Sequence, residues 1–251
     1  MQDIYIGDEG KGIPLVLVHG FLGSSRMWEP QIDFFKDYFR VITPDLPGYG
    51  KSNKAKSHNS IQSIANILLD CLEEKKIDKF YLLGHSMGGM IVQEMAKKGG
   101  DKISKLVCYS TGPRGEMPGR FETVDQSREN LKKNGLEITA KNIAKTWFVK
   151  GEEAEYFDIC IEAGKQPSIE TVDNAFVAFK NWDGVETLKN IKNETLIVWG
   201  NKDKSYNLDQ VQTLNKNIPN SSLFIFEGCA HNVHLEKPEE FNRTILNYLN
   251  K

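Results

Sequence analysis

The chain has 251 residues, with 32 basic against 34 acidic side chains and a formal charge of −2. That balance excludes a general electrostatic drive toward nucleic acid or an anionic membrane surface. Apolar runs as short as LVLV and FYLL exclude a membrane span, and the length fits one large α/β domain or such a domain with an inserted lobe.

The N-terminal stretch MQDIYIGDEG has no basic segment followed by an apolar one, so no signal peptide is read there. The cysteines Cys71, Cys108, Cys160 and Cys229 are scattered along the chain. They read as reduced thiols used as small apolar filler in a cytoplasmic protein, not as a disulfide framework or a metal site.

Apolar runs of strand length recur: PLVLVHG, YFRVITPD, KFYLLGHS, ISKLVCYS, ETLIVWG and SSLFIFEG. They are near-continuous, which predicts strands buried on both faces of a parallel sheet. Helical spacing lies between them. Ile61, Ile64, Leu68 and Leu72 repeat at three and four residues, and a further helical stretch runs from Met90 to Lys97. Phe241, Ile245 and Leu249 follow Pro238 and two glutamates, the composition of a first helical turn. Strands alternating with helices predict an α/β protein with a doubly wound sheet.

The rhythm breaks between Pro113 and Gly184, where helical patterns replace strands. They run through Phe121, Val124 and Leu131, then Ala140, Ile143, Ala144 and Trp147, then Ile169, Val172, Phe176 and Phe179. Stops are expected at Asn134-Gly135 and Gly164-Lys165. The expected organisation is a core of residues 1–112 and 185–251 with an all-helical insert at 113–184. Most of the insert's aromatic residues would form its own small core, and a subset would face a pocket.

The stretch Gly84-His85-Ser86-Met87-Gly88 sits between the run KFYLLGHS and the helical stretch after it. A strand-to-helix turn of this composition holds its serine in strained backbone angles, with small residues two positions away on either side. The hydroxyl would stand at a helix N-terminus, where unpaired N–H groups favour developing negative charge. A serine needs a base, and the base needs an orienting carboxylate. Asp203 follows the strand TLIVWG and His231 follows SLFIFEG, in the chain order such a site requires.

With these residues in place the chain resembles the α/β-hydrolase family over nearly its whole length. The matching motifs are His19-Gly20-Phe21, Asp45-Leu46-Pro47-Gly48-Tyr49-Gly50-Lys51-Ser52, Gly84 to Gly89, Gly200-Asn201-Lys202-Asp203, and His231 with Glu236 and Pro238. The resemblance implies a mostly parallel sheet of about seven or eight strands with a helical cap at 113–184. It implies Ser86 as nucleophile, His231 as base and acid, and Asp203 as orienting carboxylate. The backbone N–H groups of Phe21 and Met87 would form the oxyanion hole. One departure is visible: only DIYIG precedes the first core strand, so the usual N-terminal hairpin is abbreviated.

The competing assignments rank lower. His231 is preferred to His234 because it stands at the strand end, five residues before Glu236. His85 is expected to be buried and hydrogen-bonded, His58 solvated, and Asp209 on a helix surface. Asp45 and His19 are expected to tie their own loops. Pocket walls are sought among Phe21, His85, Phe121, Trp147, Phe148 and Val233. The expected activity is hydrolysis of carboxylic esters of small or medium, largely apolar substrates, with no cofactor and no metal. The alternatives are carbon–carbon bond hydrolysis, thioester or acyl-carrier ester hydrolysis, and a small-molecule receptor on the same scaffold. A lyase role in quinone biosynthesis ranks low, because Met90 stands where those members carry arginine. Lys132, Lys133, Lys141, Lys145 and Lys150 read as a solvated helix face rather than a carrier-protein dock. Monomer and homodimer are both open.

Overall fold

The computed structural model describes residues 3–251, so Met1 and Gln2, counted in the expected core and N-terminal stretch, lie outside the described residues. Within them, seven strands form one sheet: β1 (Ile6–Gly10), β2 (Pro14–Val18), β3 (Arg40–Pro44), β4 (Phe80–His85), β5 (Ile103–Tyr109), β6 (Thr195–Gly200) and β7 (Ser221–Phe226). Their spatial order is β1-β3-β2-β4-β5-β6-β7. All neighbours run parallel except β1, which pairs antiparallel with β3, Ile6 opposite Pro44 and Gly10 opposite Arg40. The segment before β2 thus supplies a single edge strand among the described residues.

The order matters for function. From β2 the chain steps outward to β3, then crosses back to β4 on the other side of β2. The loops leaving β2 and β4 therefore diverge, and the crevice outside the carboxyl ends of such strands is where ligands bind in open α/β sheets. These two loops carry Gly20-Phe21 and Ser86.

The helices, in chain order, are α1 (Glu29–Phe35), α2 (Ile61–Glu74), α3 (Met87–Gly99), α4 (Val124–Ala144), α5 (Phe157–Gly164), α6 (Ile169–Asn181), α7 (Leu208–Asn217), α8 (Val233–Glu236) and α9 (Pro238–Leu249). Ser60 caps α2 by accepting from Ser63 N at 3.3 Å, and α9 begins on Pro238 with Glu239 and Glu240 in its first turn. The pleat sends alternate residues to opposite faces. Leu82 and Leu106 join Ile64 and Leu68 of α2 and Ile91 of α3 in one cluster. Leu83 and Val107 join Phe35 of α1 and Phe241 and Ile245 of α9 in another. Each large apolar side chain so buried contributes about 1.5–3 kcal/mol. The expectation of strands buried on both faces fails at β7. It is a sheet edge, residues 221–225 alternate between half-buried and exposed with Phe224 40% exposed, and only Phe226 is buried.

Residues 113–184 leave the sheet after β5 and return before β6. The two ends meet: Gly184 N donates to Pro113 O at 2.8 Å, Gly115 N donates to Trp182 O at 3.0 Å, and Arg114 bridges to Asp183 at 3.0 Å. α4 starts at Val124 because Thr123 and Gln126 form a reciprocal capping box. Phe121, expected in this helix, precedes it. α4 breaks at Gly135, whose φ of 78° is the conformation glycine tolerates. Trp147 closes a short 3₁₀ turn rather than extending the helix. Arg128 of α4 and Asp173 of α6 pair at 2.7 and 2.9 Å.

Candidate functional site

Ser86 is the one-residue turn between β4 and α3, with φ 56° and ψ −115°. A non-glycine residue there costs on the order of 1–3 kcal/mol and persists only where the surroundings over-determine it. They do. Ser86 N donates to Tyr109 O at 2.9 Å, and Ser86 O accepts from the Thr111 hydroxyl at 2.8 Å. The turn also needs close approach. A Cβ on Gly84 would collide with the Gly88 backbone, and one on Gly88 with the Val18 carbonyl of β2. Gly88→Ala should therefore lower stability by at least about 1–3 kcal/mol, the usual range for overpacking, read as a drop in thermal midpoint. An unchanged midpoint would mean that the helix is not pressed against β2.

Asp203 and His231 arrive from the ends of β6 and β7. Their side chains are 0% and 2% exposed, and His231 Nδ1 lies 2.8 Å from Asp203 Oδ2. The other carboxylate oxygen, Oδ1, accepts from Ser205 N at 2.7 Å and Tyr206 N at 3.3 Å. A buried carboxylate persists only with such partners. With Nδ1 protonated toward Asp203, neutral His231 keeps its lone pair on Nε2. The His231 loop is braced by Glu236, which accepts from Ala230 N at 2.6 Å and from Val149 N at 2.7 Å. One carboxylate thus joins the histidine loop to the helical segment. Two aromatics pack near the His231 ring, Trp147 at 6.1 Å and Tyr206 stacked at 5.9 Å and 17°.

The loop after β2 closes on the serine from the other side. A Cβ at Gly20 would stand 3.0 Å from Ser86 Cβ. His19 holds this loop, donating from Nδ1 to Gly20 O at 2.8 Å while Nε2 accepts from Leu46 N at 3.0 Å. Asp45 ties its own turn by accepting from Ser25 N and Lys51 N. The Phe21 ring packs on Phe176 and Phe179 of α6 at 4.9 and 5.4 Å. Of the sought wall residues, Trp147 stands beside His231, and Phe21 follows Gly20 on the loop that closes on Ser86. Phe148 packs against Phe157, and Phe121 lies half-buried under the Arg120 guanidinium. His85 is buried and hydrogen-bonded as expected, enclosed against His231 rather than on a wall, and Val233, sought as a wall residue, belongs to the α1–α9 core cluster. α8 carries Val233 inward, under the sheet, although it is only two residues from His231.

The sequence profile of the α/β hydrolase fold matches residues 13–238. The chain belongs to the α/β hydrolase fold family. A pimeloyl-[acyl-carrier protein] methyl ester esterase of Legionella pneumophila is 29% identical over 244 residues, covering 96% of each chain. A 2-hydroxy-6-oxononadienedioate/2-hydroxy-6-oxononatrienedioate hydrolase of Pseudomonas putida is 29% identical over 268 residues, covering 98% of this chain and 92% of the relative. An esterase from Exiguobacterium antarcticum superposes with a TM-score of 0.92 at 26% identity, covering 99% of this chain and 96% of its own.

Beneath the site of this α/β hydrolase lies a cluster of buried imidazoles. His85 is 4.6 Å from His231 and 5.2 Å from His234, ring to ring, and His85 Nε2 donates to His231 O at 3.2 Å. The Tyr109 hydroxyl donates to His231 O and lies 3.0 Å from His234 Nδ1. Burial, reinforced by neighbouring His231, pushes His234 down to about 3 and His85 well below the ordinary histidine range. These groups are neutral when folded and gain protons on unfolding below about pH 6.5. The unfolded state then binds more protons, so stability present above pH 6.5 is lost as pH falls toward 3, at up to about 1.4 kcal/mol per pH unit for each such histidine. Chemical unfolding at pH 7 and pH 5 should show this loss; equal stability at both would contradict it. Among the described residues, no group of three or more His, Cys, Asp or Glu is placed to hold a metal ion, and no helix is long and apolar enough to cross a membrane.

Proposed function

We propose that this α/β hydrolase is a serine hydrolase of carboxylic esters. The observation that carries the reading is the buried Asp203–His231 pair at 2.8 Å, together with a serine held at φ 56° in the turn after β4. Ser86 Oγ attacks the acyl carbon while His231 Nε2 takes its proton and returns it to the leaving alcohol. Water, deprotonated by His231, then attacks the acyl-enzyme, and Oγ leaves with the proton. The oxyanion is met by Met87 N–H at the start of α3 and by Phe21 N–H on the loop that Gly20 presses against Ser86. Losing one such donor costs about 10²–10³ in turnover. Residues 1–112 and 185–251 act as the core and 113–184 as a cap, a division supported by the joined ends at Pro113–Gly115 and Trp182–Gly184.

The substrate is small to medium and largely apolar. Ser86 and His231 are 9% and 2% exposed, Trp147 stands over His231, and Phe21, Phe176 and Phe179 form an aromatic cluster on the loop after β2. The cysteines are all unpaired, which fits a cytoplasmic protein. A p-nitrophenyl ester series from acetate to decanoate tests the reading. We expect turnover with an optimum at short acyl chains, falling toward decanoate. Inertness toward the whole series would overturn simple ester hydrolysis. Among relatives is the named hydrolase of a 2-hydroxy-6-oxo dienedioate, so carbon–carbon cleavage by the same groups is the second reading. It would show as preference for a vinylogous 1,5-diketone over any ester.

A further inference from the structure

Tyr109 reads in the sequence as one more residue of an apolar strand and has no role in the steps above. It ends β5, is fully buried, and bonds to both partners of the proton transfer. Its main-chain carbonyl accepts from Ser86 N at 2.9 Å. Its hydroxyl donates to His231 O at 3.0 Å, accepts from His234 N at 3.1 Å and lies 3.0 Å from His234 Nδ1. The ring packs on His85 at 4.7 Å and on Phe241 at 4.9 Å. Ser110, the next residue, is held at φ 42° with its amide on Val198 O at 2.8 Å. A left-handed serine persists only where its surroundings over-determine it, and such residues cluster at functional sites.

The sheet order gives these bonds their significance. β4 and β7 stand three strand positions apart, about 14 Å at the usual spacing, yet the histidine after β7 must reach the serine after β4. The start of the returning loop is bonded to the turn after β6, with Lys202 N on Cys229 O at 2.8 Å. Residues 231–234 are bonded to β4 and β5 instead. His231 O accepts from Tyr109 and, at 3.2 Å, from His85 Nε2. Tyr109 supplies the shorter bond and also takes the His234 amide, so one hydroxyl clasps both ends of that four-residue stretch. We propose that Tyr109 is a positioning residue of the ester hydrolysis described above, on which this inference rests: its hydroxyl fixes the His231 main chain at the separation from the Ser86 turn that lets Nε2 reach Oγ. Asp203 sets the tautomer of the imidazole through Nδ1; Tyr109 sets where the residue itself stands. A base has to stand within about 2.6–3.2 Å of the group it deprotonates, and a misplacement of about 1 Å costs on the order of 10²-fold in rate. Burial raises the Tyr109 phenol well above the ordinary tyrosine range, so the donor keeps its proton at every working pH.

The test is Tyr109→Phe, which keeps the ring on His85 and Phe241 and removes the clasp. Rates are counted per serine titrated by a fluorophosphonate, so unfolded protein does not enter them. With p-nitrophenyl butyrate kcat should fall about ten- to hundredfold. KM should hold, because acylation and deacylation use the same base and slow together. Phosphonylation of Ser86 should run to completion with its rate constant lowered by a similar factor. A merely structural tyrosine predicts a lower thermal midpoint with kcat per titrated serine and the labelling rate both unchanged, and that result overturns the proposal. So does a change confined to KM. Should the phenylalanine variant misfold, 4-aminophenylalanine at position 109 keeps the shape and a donor for His231 O but is a poor acceptor for the His234 amide. Its kcat should fall at constant KM, and an unchanged kcat again overturns the proposal. Wild-type protein inert toward the ester would instead remove the esterase reading, and this inference with it. Active wild type with an equally active phenylalanine variant removes this inference alone.

Discussion

Alanine at position 86 should reduce ester turnover by roughly 10⁵ to 10⁶-fold, or about 7–8 kcal/mol of transition-state stabilisation, while leaving the fold intact. The size follows from the chemistry. Without Oγ there is no acyl-enzyme, and the residual rate is water attacking a carbonyl bound in the oxyanion site. The fold is expected to survive because the turn is held through main-chain atoms. Ser86 N bonds Tyr109 O, and Ser86 O accepts from the Thr111 hydroxyl. Alanine keeps both of these bonds and the strained backbone. The thermal midpoint should therefore change little, and the burst of nitrophenol should vanish altogether. A variant that retained a tenth of the wild-type rate would place the nucleophile elsewhere.

Asp203→Asn is expected to lower kcat by about 10⁴-fold, the cost of holding a catalytic histidine in the wrong tautomer. The neighbours of Asp203 decide this outcome. Oδ1 accepts from two backbone N–H groups, of Ser205 and Tyr206. In the asparagine variant only the carbonyl oxygen can take that position, so the amide NH₂ must face His231 Nδ1. The ring then accepts at Nδ1 and carries its proton on Nε2, turned toward the serine it should deprotonate. KM should move far less than kcat. The variant's geometry should be near native, since each hydrogen bond is replaced rather than lost. A loss of less than about tenfold would show that Asp203 does not set the tautomer.

Much of the fold was legible because parallel strands and amphipathic helices leave periodic traces. The runs around Leu15, Ile42, Leu82, Leu106, Ile197 and Leu223 all lie in the sheet. β7 reads like the others, yet stands at the edge, because an apolar run does not record whether a helix covers its far face. The expected stops at Gly135 and Gly164 coincide with the break in α4 and the end of α5, since glycine acts locally. Apolar spacing alone puts Phe121 in a helix, because it runs on past the start that Thr123 and Gln126 fix.

At the candidate site, Ser86, Asp203 and His231 were readable because each sits at a strand end, where order along the chain maps onto position in space. The walls were not. Val233 is two residues from His231, but one turn of helix carries it into the opposite core, and His85 is enclosed because β4 directs it under His231. Tyr206 lies in a loop with no periodicity, and its stack on His231 exists only once β6 and β7 are assembled.

The most direct measurement is peptide mapping by mass spectrometry after acid quench of the wild-type protein during turnover of p-nitrophenyl butyrate. The account predicts a butyryl group on the peptide that contains Gly84 to Gly89, localised to Ser86, and absent from the Asp203→Asn protein quenched at the same time. A butyryl group on any other residue, or steady turnover with Ser86 never acylated, would contradict it.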